Sequence, residues 1–180
     1  IISPEREIAK SLQRKLEAPG ALDNIPFADN KIRLLEILIN ENCPIKKIKL
    51  NELTKKFPEL EANILGVIRN EKFLLLKKND VMEKGDKAYV IINSSQMEKT
   101  LAAFGHNEKI SSKILIIGGG NIGFNLAKNI EESFESARIK IIEKNKERAE
   151  FIANELNNSI IINGDALDED VLSEANLEEI

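Results

Sequence analysis

Six consecutive residues, Gly118-Gly119-Gly120-Asn121-Ile122-Gly123, constrain this chain more than any others. They spell G-x-G-x-x-G. Before them runs Ile114-Leu115-Ile116-Ile117, a short apolar strand pattern; after them Ile122, Leu126 and Ile130 recur at helical spacing. A lone glycine pattern of this kind is weak, but a strand before it and a helix after it supply the context that gives it meaning. Gly118 permits a tight turn. Gly120 lets the backbone approach a pyrophosphate with no Cβ in the way. Gly123 lets the helix lie close to the strand, and Ala127 extends that close packing one turn on. The helix N-terminus then offers free N–H groups and partial positive charge to phosphates.

A second strand over 138–143 ends in Glu143, 20 residues after Gly123. A carboxylate at that place accepts hydrogen bonds from an adenosine ribose and disfavours a 2′-phosphate. NAD(H) or an adenine nucleotide such as ATP or ADP is therefore favoured over NADP(H). Lys144 and Lys146 blur that preference, because a nearby cation offsets the repulsion. A third strand over 159–163 leads into Gly164-Asp165-Ala166, where an adenine edge lies in such folds. Asp165 reads equally well as the N-cap of a helix starting near Leu167. With helical stripes at Ala149, Ile152, Ala153 and Leu156 and at Leu167, Val171, Leu172 and Ala175, the order is β-α-β-α-β-α. That implies parallel strands joined by right-handed crossovers, a partial Rossmann-type doubly wound sheet.

The chain before the glycine loop has another rhythm. Ser3-Pro4-Glu5 starts a helix with a stripe at Ile8, Leu12 and Leu16, stopped by Pro19-Gly20. The stretch 32–39 reads as a strand, and Leu50, Leu53 and Phe57 as a short helix ended by Pro58. Strands over 64–69 and 73–76 flank a hairpin turn, and a last strand covers 87–92. The organisation expected is a connecting helix over 1–23, a small α+β domain over 24–94, a helix and linker over 95–112, and a nucleotide domain over 113–180.

Composition narrows the function. The balance of 26 Lys+Arg against 30 Asp+Glu gives a net charge of −4 across 180 residues, which argues against a nucleic-acid partner. No apolar run approaches the roughly 20 residues that a membrane-spanning helix needs. A single cysteine, Cys43, allows no internal disulfide and reads as a small buried residue. The single histidine, His106, rules out a multi-histidine metal site and is expected to be solvated within the linker. The chain opens on Ile-Ile-Ser-Pro, with neither methionine nor basic leader, and is expected to be a piece of something longer.

Several of these segments together resemble a known family. Ser3-Pro4-Glu5-Arg6-Glu7, Leu16-Glu17-Ala18-Pro19-Gly20-Ala21, Gly66-Val67-Ile68-Arg69, and Asp80 followed by Gly85-Asp86 and Val90 are similar to the connecting helix and TrkA-C lobe of the TrkA (RCK-type) family. Ile117 to Gly123, Ile142-Glu143-Lys144 and Gly164-Asp165-Ala166 resemble its TrkA-N lobe. The family comprises cytosolic regulators of bacterial potassium uptake. The resemblance implies the first TrkA-C lobe and the start of a second TrkA-N lobe, holding three of a full lobe's six strands. It further implies NAD(H) or an adenine nucleotide as ligand, homo-oligomers built through the lobes, and a Trk-type potassium channel or transporter as membrane partner. The place would be the cytoplasm, at the inner face of the cell membrane, and no catalysis is implied. The alternative is part of an NAD-dependent oxidoreductase, which has the cofactor loop but no Tyr-x-x-x-Lys pair around Tyr89. The leading reading makes Gly118, Gly119, Gly120, Asn121, Ile122, Gly123, Glu143, Lys144, Asp165 and Ala166 the ligand-binding residues, with no catalytic and no metal-binding residue.

Overall fold

The computed structural model describes residues 3–108 and 111–176. Residues 109 and 110 of the expected linker, and 177–180 at the end, lie outside the described residues. The chain is a mixed α/β protein with one antiparallel and one parallel sheet. It divides into two compact units, residues 14–110 and residues 1–13 with 111–180. Helix α1 (Pro4–Glu17) is shared between them at Gln13. Its start is set by Pro4 at the first turn with Glu5 and Glu7 beside it, and Arg14 and Lys15 sit at its last turn, where each sign suits the helix dipole.

In the first unit the strands are β1 (Ala21–Phe27), β2 (Ile32–Leu38), β3 (Ala62–Arg69), β4 (Lys72–Leu75) and β5 (Lys87–Asn93). They pair in the order β1-β2-β5-β3-β4, every pair antiparallel. Period-two alternation puts Leu35, Ile37, Val67, Ala88 and Val90 into one core with Leu53 of α2 (Leu50–Lys56) and Leu101 of α3 (Met97–Ala103). The hairpin between β3 and β4 turns on Asn70 and Glu71, both at positive φ (51° and 62°), the backbone that suits a two-residue hairpin.

Strand β1 has no counterpart in the sequence reading, which runs the connecting segment through residue 23. Asp23, Asn24 and Pro26 hide its pattern. Proline is tolerated there because β1 lies at the edge of the sheet, where a missing N–H breaks no ladder. The helix expected within 95–112 is preceded by a 3₁₀ turn, Ser94–Gln96, where the Asn93 side chain accepts from the Ser95 N–H, and the helix itself is α3.

His106 is also placed differently from expectation. Its side chain is 11% exposed, not solvated. Gly20, at φ +95°, leaves the chain room to turn against it, and a Cβ there would meet the imidazole at 2.5 Å. Cys43 is 4% exposed, and burial pushes its thiol pKa up, which suits a packing residue and not a nucleophile.

The second unit holds β6 (Lys113–Ile117), β7 (Arg138–Glu143) and β8 (Ser159–Asn163), parallel and paired in the order β6-β7-β8. Helix α4 (Asn121–Ser133) connects β6 to β7, and α5 (Lys146–Glu155) connects β7 to β8. A short α6 (Glu169–Glu174) follows β8. Near-continuous isoleucine runs fit a parallel sheet; Ile139, Ile141 and Ile142 of the central β7 are buried, whereas Ile117 of β6 and Ile160 of β8 are 65% and 57% exposed. Glu131 of α4 accepts from the Asn157 and Asn158 amides and the Ser159 hydroxyl, pinning the start of β8. No helix among the described residues is long and apolar enough to cross a membrane.

Candidate functional site

The glycine loop lies at the C-terminal edge of the parallel sheet. Strand β6 stops at Ile117, and Gly118 takes φ +97°, a conformation open to glycine at no cost. Its N–H donates to the Ile142 carbonyl at 2.9 Å and ties the loop to β7. Gly123 sits so close behind that a Cβ would lie 2.1 Å from the Gly118 carbonyl oxygen and 3.1 Å from Ile116. Helix α4 can approach the strand only because that atom is missing.

Gly119 and Gly120 differ sharply. A Cβ on Gly119 would lie 2.2 Å from Ile152 and 3.1 Å from the Glu143 carboxylate, so this glycine is packed against the protein itself. Around Gly120 nothing comes within 4 Å of that position. Gly120 is also the N-cap of α4 and provides no side-chain cap. The neighbouring helices are capped: Asn145 accepts from the Arg148 N–H, and Asp168 accepts from the Asp170 N–H. Gly120 thus leaves the first amides of α4, at the positive end of the helix dipole, without a capping side chain. An anionic group would meet donors there.

Glu143 closes the other side. Its Oε2 accepts from the Gly119 N–H at 2.7 Å and its Oε1 from the Asn145 N–H at 2.8 Å. The carboxylate therefore holds the loop in shape while each oxygen keeps lone pairs for a further donor. Lys144 and Asp165 form an ion pair at 2.7 Å. The hydrogen bond and charge of Lys144 hold the Asp165 carboxyl below its ordinary pKa, and Asp165 in return raises that of Lys144. Lys146 approaches Glu150 at 4.0 Å.

Asp165 is not the cap of α6. The helix begins at Glu169, its cap is Asp168, and Leu167 stands ahead of it, 91% exposed. Asp165 instead accepts from the Leu167 N–H in a turn, which leaves it beside Ala166 at the end of β8. Gly118, Gly119, Gly120, Asn121, Ile122, Gly123 and Glu143 share one edge of the sheet, with Lys144, Asp165 and Ala166 following the neighbouring strand ends.

Arg148 escaped the sequence reading. Its Nε donates to the Gly119 carbonyl at 2.8 Å, and its guanidinium lies 4.9 Å from the Phe151 ring centroid and 5.5 Å from that of Phe124. Stacking on two rings and bonding to the loop from behind, it braces Gly119. The one visible signal was an arginine three residues before a phenylalanine on the same helix, and that spacing is too common to single it out.

Among known proteins, the TrkA-C domain family matches residues 34–105 and the TrkA-N domain family residues 114–180. The chain is 39% identical over 97% of its length to the Trk system potassium uptake protein TrkA of Azorhizobium caulinodans, and it spans 38% of that protein. Two solved structures share the fold. One is described as the crystal structure of the GsuK RCK domain, with TM-score 0.52, 18% identity, 97% of this chain covered and 36% of the other. The second is described as the GsuK channel bound to NAD, with TM-score 0.55, 17% identity, 98% of this chain covered and 30% of the other.

Proposed function

The chain belongs to the TrkA family, a TrkA-C domain followed by a TrkA-N domain, and from that premise we propose that it is a nucleotide-sensing regulatory module of potassium uptake. It binds NAD(H), with ATP or ADP as the alternative ligands. It works in the cytoplasm against a membrane potassium channel or transporter, assembles with copies of itself through its lobes, and performs no catalysis. The observation that carries the reading is the empty volume over Gly120 at the uncapped start of α4.

A dinucleotide brings a diphosphate, ribose hydroxyls and an adenine ring, and each has a matching group. The amides of Gly120, Asn121 and Ile122 would hold the diphosphate. Glu143 would accept from the ribose hydroxyls. Asp165 and Ala166 would border the adenine. Gly118 and Gly123 shape the loop. Gly119 and Arg148 keep it against Glu143. The Lys144–Asp165 ion pair favours NAD(H) over NADP(H), because a lysine already neutralised does little to offset the repulsion between Glu143 and a 2′-phosphate. Regulation then needs a difference in nucleotide affinity between two arrangements of the assembly, since equal affinities shift nothing.

The test is calorimetry of the chain against NADH, NAD⁺, ATP and ADP, repeated on Gly120→Ala. The variant is expected to melt with the parent, because its new methyl meets no protein atom. Its affinity is expected to fall about tenfold or more, because that methyl fills the phosphate position. Unchanged affinity in Gly120→Ala, or no binding by the parent, defeats the reading.

A further inference from the structure

The glycine loop holds an electrostatic conflict. Glu143 suits a ribose, yet its negative charge opposes any phosphate placed beside it. The two lysines near the loop offset this little. Lys144 is paired with Asp165, and Lys146, the freer of the two, is exposed where water screens it. Arg148 is placed otherwise. It is half-buried, its bonds go to Gly119 and Asn121, and it forms no ion pair among the described residues. Glu143 and Arg148 bond to opposite ends of one residue: the Gly119 N–H donates to Glu143 Oε2 at 2.7 Å, and the Gly119 carbonyl accepts from Arg148 Nε at 2.8 Å. Nη2 of the same guanidinium lies 3.5 Å from Oδ1 of Asn121, the first residue of α4. The guanidinium also lies on the Phe124 and Phe151 rings, whose centroids are 5.6 Å apart, so its charge is fixed in place.

We propose that Arg148 makes the loop selective for nucleotides carrying a diphosphate over nucleoside monophosphates, by offsetting Glu143 with a fixed positive charge at the start of α4. This rests on the nucleotide-binding reading above, and it names the residue that selects by phosphate charge. In that reading Glu143 meets the ribose and the amides from Gly120 onward meet the phosphates. The loop then presents a carboxylate where a nucleotide brings hydroxyl donors, and a guanidinium near Asn121 where it brings an anion. The dipole of α4 supplies only about half a unit charge, and its effect fades within the first turn. A second phosphate adds charge that the dipole alone does not balance, and Arg148 supplies the rest. Arginine fits this place as lysine does not. One planar group bonds the Gly119 carbonyl, reaches Asn121 and lays its face on two rings. Set partly in protein and not wholly in water, its charge acts through a lower effective dielectric than that of the exposed Lys146.

Calorimetry of AMP, ADP and NADH against the parent chain, Arg148→Gln and Arg148→Lys tests this. Arg148→Gln is expected to weaken ADP and NADH about tenfold, and AMP by no more than about threefold. Arg148→Lys keeps the charge without the planar fork and is expected to bind ADP within about threefold of the parent. Raising salt from about 0.05 to about 0.5 M is expected to narrow the parent's preference for ADP over AMP and to leave that of Arg148→Gln nearly unchanged. A brace without an electrostatic role predicts otherwise: both variants then lose AMP and ADP by the same factor, and that result overturns the proposal. So does Arg148→Gln binding ADP as tightly as the parent. Should Arg148→Gln not fold, Arg148→Lys decides: ADP affinity near the parent's supports the charge, and an equal loss of AMP and ADP overturns it. A parent chain that binds none of the three ligands overturns the nucleotide-binding reading itself, whereas the variant results above overturn only the role of Arg148.

Discussion

At the end of β7, Glu143 and Lys144 are neighbours of opposite charge, and each is already engaged by another part of the lobe. Glu143 is bonded to two backbone amides, and Lys144 to Asp165. The consequence concerns ligand choice. With Lys144 paired, that lysine would do less to offset the repulsion between Glu143 and a 2′-phosphate, which leaves Lys146 as the more available lysine of the two. Asp165→Asn releases the lysine and is expected to raise NADPH affinity severalfold relative to NADH, read by competition calorimetry. An unchanged ratio would place Lys144 out of reach of the 2′ position. At this scale the sequence was legible where backbone geometry dictates residue type. The glycines at 118 and 123 are forced by a positive φ and by a close approach, and both follow from spacing alone. The role of Gly120 was read from spacing, but the packing of Gly119 was not legible, because it depends on where Ile152 of another helix falls. Nor was the brace from Arg148, whose partners Gly119, Phe124 and Phe151 meet only after two crossovers are in place.

Among elements, the closing strand β5 depends on an ion pair that also explains why Gly85-Asp86 precedes it. Asp86 is buried, and Arg69 of β3 meets it bidentately, Nε to Oδ1 at 2.8 Å and Nη2 to Oδ2 at 2.7 Å. The Glu83 N–H adds a third bond at 2.8 Å. Burial pushes the Asp86 carboxyl up, but the Arg69 hydrogen bonds and the Glu83 amide outweigh it and hold the pKa below its ordinary value. A depressed folded pKa contributes stability above the unfolded value, near 3.9, and loses it as pH falls through the folded one. The antiparallel unit is therefore expected to weaken progressively in acid titration below about pH 4. Asp86→Asn is expected to cost about 2 kcal/mol at neutral pH, because it removes the buried, bidentate partner of Arg69 and leaves the guanidinium only Glu83, at 3.0 Å, as a carboxylate partner. It should also flatten that acid limb, which denaturant melts at several pH values would show; an unchanged limb would assign it to other carboxylates. Elements governed by a clean period were readable from sequence, among them the strands of the parallel sheet and the β3–β4 hairpin. Strand β1 was not. Its polar residues and proline are acceptable only at an edge, and edge position is a property of the assembled sheet.

Among the described residues, each compact unit has an apolar cluster of its own. One gathers Leu35, Ile37, Val67, Val90, Leu101 and Phe104 in the antiparallel unit, and another gathers Ile142, Ile162 and Ala175 in the parallel unit. Each unit therefore has a source of stability of its own, and a ligand held by the glycine loop acts on the parallel unit directly. By mass action, NADH at a hundredfold excess over its dissociation constant adds about 2.7 kcal/mol to the state that binds it. In a unit of this size each kcal/mol is worth roughly 4–8 °C of melting temperature. Calorimetric scans are expected to show two transitions, one raised by NADH and the other unmoved. Asp86→Asn should lower only the transition that NADH leaves alone, and Gly120→Ala should abolish the NADH shift without moving either transition in its absence. If NADH raised both transitions in step, or if a single transition responded to all three perturbations, the two clusters would be parts of one cooperative unit. Binding at the glycine loop would then stabilise the antiparallel sheet as strongly as the parallel one. With two independent transitions, any influence of nucleotide on the TrkA-C domain must arise in the assembly and not from shared folding stability within one chain.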